Sequence, residues 1–407
     1  MKVPLLDLQP QAAFFREQII KEITEVVDST CYILGPKVAK LEQEIAEYSG
    51  AVAAIGVSSG TDALVASLMA LELQPGDQVL TTPYTFFATM GAIIRVGAVP
   101  VFADVDVRTL NLDPVKAAEI LEADAAGERK IKAIIPVHLF GQCADMSALM
   151  ALARQYGIPV IEDAAQAIGA EYPLRESAES TGSAESENDG DVVWKKAGSM
   201  GLAGCFSFFP SKNLGGVGDG GMITTCDPDF AETLRCYRNH GAKPKYYHSK
   251  IGGNFRLDPL QAAVLSVKLP YLEKWHQQRR KNSEQYRELF AQAGLTGEQI
   301  ALPEALYSTA LDAEQHNHHI YNQFVVRTSS RDALRQYLQE KSIGCEVYYP
   351  VCLHQQKCLE SYGTYSALSF PVAEQASRES LALPIYPELR IEQQEYVVKA
   401  IADFFHS

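Results

Sequence analysis

Residues 52–73 read VAAIGVSSGTDALVASLMALEL, a short apolar run followed by small polar residues and then a helical pattern. The apolar run has the length of a buried strand, whereas the second half repeats apolar residues at helical spacing. Between the two halves, Ser59 can cap the helix that begins near Gly60. The stretch therefore predicts one strand–turn–helix unit of an α/β protein.

The same alternation of short apolar runs and helical segments continues to about residue 225. Further apolar runs are DQVLTTP (77–83), VPVFADV (99–105), IKAIIPVHLF (131–140), IPVIED (158–163), GCFSFF (204–209) and GMITT (221–225). Helical segments such as MSALMALARQYG (146–157) lie between several of them. This pattern favours a mostly parallel sheet covered by helices on both faces, in which ligands bind at the carboxyl ends of the strands.

The chain changes character after residue 255. A long helical stretch (257–294) is followed by a smaller α+β region with a strand YNQFVVR (321–327), a helix RDALRQYLQEKSIG (331–344) and a strand EVYYP (346–350). We therefore predict a large α/β domain over residues 1–255, and a long helix with a small α+β domain over residues 256–407.

One segment of the large domain, residues 173–201, is rich in Ser, Glu and Gly and has almost no apolar residues before Val192. Such a composition cannot bury enough apolar surface to form a packed core. We predict a protruding hairpin or loop that is partly disordered.

Composition excludes several classes of function. The 36 basic and 50 acidic residues give a net charge of −14, which disfavours nucleic acid and anionic membranes as partners. No apolar stretch is long enough for a membrane span, and the N-terminus does not have the pattern of a signal peptide. The eight cysteines are scattered, as in a reduced, cytoplasmic protein without a zinc site. We expect no bound metal, because the HNHH run at 316–319 has no ligand at a familiar spacing.

Three polar positions follow predicted strands. Residues 58–64 (SSGTDAL) could bind a phosphate at the helix N-terminus or simply cap the helix. A carboxylate of the Glu162–Asp163 pair, in EDAAQAIG, could bind a metal, act as a base or pair with a protonated ring nitrogen, or Asp163 could simply cap a helix. Lys212 follows the aromatic run of Phe206, Phe208 and Phe209. It is either an exposed lysine in a turn or an amine that partial burial makes nucleophilic enough for a Schiff base.

Two further motifs each allow two interpretations. GVGDGG (216–221) matches G-x-G-x-x-G, but it precedes a strand and does not open a helix. We therefore reject a dinucleotide site and predict compact backbone near a ligand at these glycines. The aromatic residues of TTPYTFFATMGAI (81–93) either pack in the core or stack on a flat ring.

Taken together, these positions form a set that suits one cofactor. Pyridoxal 5'-phosphate needs a helix N-terminus for its phosphate, a lysine for its aldehyde, an aspartate for its ring nitrogen and a flat side chain against its ring. The sequence offers all four at the ends of strands in one predicted sheet.

At this level of detail the chain resembles the nucleotide-sugar aminotransferases among the fold-type I pyridoxal-phosphate enzymes, over nearly its whole length. The motifs that carry the resemblance are YILGP, SSGTDAL, TPYTFFAT, PVHLFGQCADM, VIEDAAQAIGA, FSFFPSKNLGGVGDGG, GGNFRLDPLQAA, YNQFVVR and EVYYPVCLHQQ. The resemblance implies a mostly parallel seven-stranded sheet flanked by helices, and a homodimer with two shared active sites.

The resemblance also implies roles for individual residues. Lys212 would bind the cofactor aldehyde and shuttle the proton. Asp163 would pair with the cofactor's ring nitrogen, and Gln166 would form a hydrogen bond with its phenolic oxygen. The remaining cofactor contacts are Phe86 on the ring, and Gly60, Thr61, Ser207 and, from the second subunit, Asn254 at the phosphate. The implied substrate contacts are Arg256, Tyr348 and Tyr349.

The implied reaction moves an amino group from an amino acid, L-glutamate, to a nucleotide-linked keto-sugar. The segment HLFGQCADM (138–146) is similar to family members that aminate position 3 of the sugar. Two features depart from the family pattern: Tyr348 stands where many relatives have histidine, and the insertion at 173–201 is longer than the usual hairpin. Two alternatives stay open, a sugar dehydratase, whose relatives replace the lysine with histidine, and a non-catalytic sugar-binding or regulatory protein.

Overall fold

The computed structural model describes residues 1–175, 192–363 and 365–406. Its strands are β1 (Ala53–Val57), β2 (Gln78–Thr81), β3 (Val99–Phe102), β4 (Ile131–Ile134), β5 (Ile161–Asp163), β6 (Glu171–Arg175), β7 (Val192–Lys196), β8 (Ala203–Ser207), β9 (Gly221–Thr225), β10 (Phe324–Arg327) and β11 (Ser380–Leu383).

The α-helices are α1 (Gln9–Ser29), α2 (Pro36–Ser49), α3 (Gly60–Ala70), α4 (Ala88–Arg95), α5 (Pro114–Ala126), α6 (Met146–Tyr156), α7 (Pro228–Arg238), α8 (Pro259–Lys268), α9 (Leu272–Gln292), α10 (Arg331–Glu340), α11 (Pro371–Glu379) and α12 (Ile391–His406). Short 3-10 helices are Leu139–Gly141, Leu269–Tyr271, Leu306–Thr309, Ala313–Gln315, Leu353–Gln355, Lys357–Tyr362 and Tyr365–Ala367. None of the helices in the described ranges is long and apolar enough to cross a membrane.

The large sheet confirms the predicted α/β fold. A three-stranded part in the order β3-β2-β4 and a four-stranded part in the order β5-β8-β9-β1 meet where parallel bridges join Ile134 to Val160 and Val137 to Asp163. Each of the seven strands falls within or overlaps one of the predicted apolar runs. One strand departs from the parallel arrangement, because β9 pairs antiparallel with both β1 and β8.

The hairpin predicted within residues 173–201 is present at its base. Strands β6 and β7 pair antiparallel from Glu171 with Lys196 to Arg175 with Val192. The predicted disorder falls on residues 176–191, which lie outside the described residues.

The C-terminal part forms its own core around β10, β11 and α9. Strands β10 and β11 pair antiparallel, and their buried side chains pack with those of α9 and α12, such as Phe290 and Val397. Val3 packs in the same cluster and bridges Ile343. The domain boundary between residues 255 and 256 stays a prediction.

The prediction of a strand over EVYYP (346–350) is wrong. Only Glu346 pairs with the sheet, through a single bridge to Ala382. Beyond Glu346, the carbonyl of Tyr348 and the N–H of Tyr349 form hydrogen bonds with the Tyr84 hydroxyl. These backbone groups are therefore not available to pair with a neighbouring strand.

Candidate active site

Lys212 lies in a turn just past the end of β8. Phe206 and Phe208 are buried, while the Phe209 ring is half exposed and its carbonyl accepts the backbone N–H of Lys212 at 2.9 Å. Burial lowers the pKa of the Lys212 amine to about 8, and the negative charge of Asp163 opposes part of that shift. The amine is therefore much easier to deprotonate than that of an ordinary surface lysine.

Asp163 ends β5, the strand beside β8, where it pairs in register with Cys205. Its carboxylate is buried and accepts hydrogen bonds from the Thr89 hydroxyl at 2.8 Å and the Ala165 N–H at 3.2 Å. Burial raises the pKa of Asp163 despite these two donors and the positive charge of Lys212. A buried carboxylate with few donors favours a cationic partner, such as a protonated ring nitrogen.

Glu162, the neighbour of Asp163, has a structural role that the sequence did not reveal. One carboxylate oxygen accepts the N–H groups of Met200 and Gly201 at 2.8 and 2.6 Å. The other accepts the N–H of Gly198 at 2.7 Å and lies 2.9 Å from Nε2 of His138. Because the Ala144 N–H donates to Nδ1 of His138, Nε2 carries the proton and donates to Glu162.

Gln166 links Asp163's loop to the tyrosine pair. Its Oε1 accepts the Phe140 N–H at 2.6 Å, and its Nε2 donates to the Tyr349 hydroxyl at 2.9 Å. The rings of Tyr349 and Phe86 lie 6.1 Å apart at 45°, and Phe86 is 58% exposed. Phe86 therefore offers an open ring face beside these polar groups, whereas Tyr348 is partly buried next to them.

Gly60 and Ser207 form a narrow cradle at the N-terminus of α3. A Cβ atom on Gly60 would lie 2.7 Å from Cβ of Ser207, so only glycine allows this approach. The hydroxyl of Ser59 is used as a cap, because it accepts the Asp62 N–H at 3.0 Å. The N–H groups of Gly60 and Thr61 belong to the first turn, where backbone N–H groups have no partner within the helix and favour an anion.

Gly221, the last glycine of this run and the first residue of β9, lies very close to the backbone of Ser59. A Cβ atom on Gly221 would lie 2.4 Å from the carbonyl carbon of Ser59. Strand β9 therefore passes directly against the start of α3, with no helix following the glycines.

Asn254 and Arg256 form a separate group. They line a cleft together with Ser58, Ser59 and Asp62, and the Arg256 guanidinium donates to Oδ1 of Asn239 at 2.7 Å. Within the described ranges, the buried Nε of Arg256 has no hydrogen-bond partner. Both residues thus lie near the N-terminus of α3, but no hydrogen bond connects them with Lys212 or Gln166 in the part of the chain that the structure describes.

The HNHH run is held by ordinary structural contacts. His316 stacks on Trp194 and its Nδ1 lies 3.2 Å from a Glu171 oxygen, whereas His319 stacks on Tyr321 and accepts its N–H. These contacts fit the prediction of a polar loop that leads into β10.

Sequence reasoning missed Thr89 and treated Tyr84 only as one of three aromatic candidates. The signal for Thr89 is weak, a single hydroxyl in the otherwise apolar first turn of α4. It becomes meaningful only when the sheet places α4 beside β5, since Thr89 then donates to the buried Asp163.

Comparison with known proteins adds independent information. The profile of the DegT/DnrJ/EryC1/StrS aminotransferase family matches residues 14–402. A pleiotropic regulatory protein of Geobacillus stearothermophilus is 45% identical and covers 100% of this chain and 99% of its own length. The UDP-N-acetyl-3-dehydro-alpha-D-glucosamine 3-aminotransferase of Acidithiobacillus ferrooxidans is 39% identical and covers 99% of this chain and 98% of its own.

Solved structures are similar over the same length. The crystal structure of DesV of S. venezuelae, in complex with a ketimine intermediate, is 36% identical with a TM-score of 0.85 and covers 100% of this chain and 99% of its own. The structure of ntda from Bacillus subtilis with bound cofactor PMP is 28% identical with a TM-score of 0.84, covering 100% of this chain and 86% of its own.

Proposed function

Because this chain belongs to the DegT/DnrJ/EryC1/StrS aminotransferase family, we propose that it transfers an amino group from an amino acid to the 3-keto group of a nucleotide-linked sugar. The observation that carries the proposal is the amine of Lys212, whose pKa is lowered to about 8 beside the buried carboxylate of Asp163. The 3-keto position is supported by the name of the Acidithiobacillus relative.

The enzyme is a pyridoxal-phosphate-dependent aminotransferase, and its residues fit that cofactor. Lys212 would hold the aldehyde, and the buried carboxylate of Asp163 would pair with the protonated ring nitrogen. The cradle of Gly60 and Ser207, with the first-turn N–H groups of α3, would hold the phosphate. Phe86 offers a ring face for stacking, and Gln166 an amide N–H for the phenolic oxygen.

When bound, pyridoxal phosphate supplies an electron sink that stabilises negative charge on a carbon that loses its proton. The chain supplies the proton transfer. With a pKa of about 8, Nζ of Lys212 can accept a proton and return it near neutral pH, as general acid–base catalysis requires. Burial raises the pKa of the Tyr349 phenol, which therefore remains protonated and can serve as a donor.

The finer details of the proposal concern the partners. We infer that L-glutamate is the amino donor and that the protein works in the cytoplasm as a homodimer with two shared active sites. Support for the dimer comes from Tyr246, Tyr247 and Ile251, which are 79, 72 and 91% exposed in the segment that leads to Asn254. A patch of exposed large apolar side chains is typical of an interface. Arg256 is the cation proposed for the diphosphate of the nucleotide.

The decisive experiment is nitrogen transfer from isotope-labelled glutamate to UDP- and dTDP-linked 3-keto-sugars, followed by mass spectrometry. The wild-type protein is expected to label the sugar. Lys212→Ala should lose at least about 1000-fold in turnover, since it removes the proton-transfer group itself. The matched control is Lys399→Ala, an exposed lysine of α12 that pairs with Asp403, which should keep wild-type turnover. Equal rates for both variants would contradict the assignment.

The strongest rival is a regulatory protein, because the relative at 45% identity carries that name. A purified protein that binds nucleotide sugar but shows no transfer from any amino acid would favour this role. A dehydratase would release water from the sugar without gaining nitrogen. The presence of Lys212, where such relatives have histidine, counts against it.

A further inference from the structure

The hydroxyl of Tyr84 forms hydrogen bonds with both the carbonyl and the N–H of a single peptide group. Tyr84 follows β2 and is completely buried. Its hydroxyl donates to the Tyr348 carbonyl at 2.5 Å and accepts the Tyr349 N–H at 3.1 Å, although these residues lie 264 and 265 positions further along the chain. One side chain therefore fixes the orientation of the peptide that joins the two tyrosines.

The Tyr349 side chain continues from that fixed peptide into the site. Its ring packs edge-to-face on Tyr84 at 6.2 Å, and its hydroxyl oxygen accepts the Gln166 amide N–H. The orientation of that amide is determined, because Oε1 of Gln166 is taken by the Phe140 N–H. The hydroxyl of Tyr349 thus uses a lone pair, and its proton has no acceptor among residues 1–175, 192–363 and 365–406.

We propose that Tyr84 is a positioning residue that holds the Tyr349 hydroxyl as a hydrogen-bond donor to the keto-sugar. The inference rests on the proposed function and adds a residue to it. A hydroxyl that must reach one oxygen of a substrate loses effectiveness when it shifts by about 1 Å, so the peptide that carries it must be held. Without the Tyr84 hydroxyl, the two backbone groups lose their shared partner and the tyrosine pair can move.

The primary test is Tyr84→Phe, which keeps the buried ring and removes both hydrogen bonds. We expect kcat/KM for the keto-sugar to fall at least about 10-fold, mainly through KM, as expected for a lost substrate contact. The half-reaction with glutamate should stay within about 2-fold of wild type, because the keto-sugar takes no part in it. The matched control is Tyr286→Phe, another buried tyrosine, whose hydroxyl has no hydrogen-bond partner within the described residues. It should match wild type in both half-reactions.

A double-mutant cycle separates positioning from a general loss of structure. If Tyr84 acts through Tyr349, the variant with both Tyr84→Phe and Tyr349→Phe should be no worse with the keto-sugar than Tyr349→Phe alone. Additive losses would overturn the proposal. Tyr349→Phe leaves the Tyr84 bonds intact, so it keeps the test open if Tyr84→Phe fails to fold. Wild-type kinetics in Tyr349→Phe would also overturn the proposal.

A binding measurement provides a readout that does not depend on turnover. Calorimetric titration with UDP-N-acetylglucosamine, a 3-hydroxy analogue of the keto-sugar, should show about 10-fold weaker binding to Tyr84→Phe than to Tyr286→Phe. Equal affinities would count against the inference. If the wild-type protein itself transfers no nitrogen from glutamate, the proposed function fails first. If it does transfer nitrogen and Tyr84→Phe behaves like its control, only the role of Tyr84 fails.

Discussion

The reactivity proposed for Lys212 follows from the burial of its amine beyond the end of β8. Burial favours the neutral amine and lowers its pKa from 10.5 to about 8. The neutral amine is the nucleophile, and its fraction rises as the pH increases through the pKa. The same side chain on the surface would be almost entirely charged at pH 8.

The covalent attachment of pyridoxal phosphate to the cofactor-free protein should therefore become faster with increasing pH, with a midpoint of about 8. At pH 6 the rate should be roughly 100-fold below its plateau, since two pH units below a pKa leave about 1% of the amine neutral. Stopped-flow absorbance measures this rate, and Lys212→Ala should lack the phase. A midpoint near 10 would show that the amine is not buried in solution.

Individual site residues differ in how far the sequence reveals them. Lys212 and Asp163 were recognisable as candidates because each lies at the carboxyl end of an apolar strand, at the edge where ligands bind. The Glu162–Asp163 pair was ambiguous, and only the alternation of side chains along β5 separates the two roles. The bonds of Tyr84 to a peptide 264 residues away leave no local pattern, so no sequence reasoning of this kind could find them.

At the scale of elements, Glu162 joins β5 to the turn between β7 and β8. Its carboxylate accepts the N–H groups of Gly198, Met200 and Gly201 as well as His138, all without access to solvent at the carboxylate. The turn that leads out of the hairpin is therefore fastened to the strand that carries Asp163.

Glu162→Gln should destabilise the protein by roughly 2–4 kcal/mol, because the new NH2 group faces donors and leaves buried N–H groups unpaired. Chemical denaturation of the cofactor-free protein measures this loss. The control is Glu119→Gln, an exposed residue of α5 that is paired with Lys116, where the change should stay within about 0.5 kcal/mol. A loss at Glu162 no larger than that at Glu119 would mean that these bonds contribute little.

The strands of the large sheet were predictable, whereas the direction of β9 and the missing strand at EVYYP in the C-terminal region were not read from the pattern. Strand β9 is antiparallel, and the sequence contained a clue, because the glycine-rich connection from β8 carries no helix for a parallel crossover. The pattern of EVYYP resembles a strand. The peptide between Tyr348 and Tyr349, however, is hydrogen-bonded to the Tyr84 side chain and not to a neighbouring strand. Local patterns describe a segment and cannot tell which distant groups compete for its backbone.

For the whole molecule, the open question is which subunit supplies Asn254 to each site. The structure places Asn254 in a cleft of its own chain beside Ser58 and Ser59, whereas the resemblance assigns it to the partner's phosphate site. The exposed side chains of Tyr246, Tyr247 and Ile251 lie in the segment just before it. A segment of this kind would bury its apolar side chains in a two-fold dimer, in which each protomer contributes the same surface to the interface.

Mixing two inactive variants distinguishes the possibilities. Lys212→Ala lacks the amine proposed for proton transfer, and Asn254→Asp should be nearly inactive because it would set a carboxylate against the proposed phosphate site. If the sites are shared, a mixed dimer contains one site with both native residues, and an equal mixture refolded together should recover about 25% of wild-type activity. The activity should recover only after the subunits exchange. A control mixture of the two variants combined without refolding should therefore stay inactive. If Asn254 serves its own chain, every site in the mixed dimer lacks one of the two residues, and the mixture stays as inactive as its components.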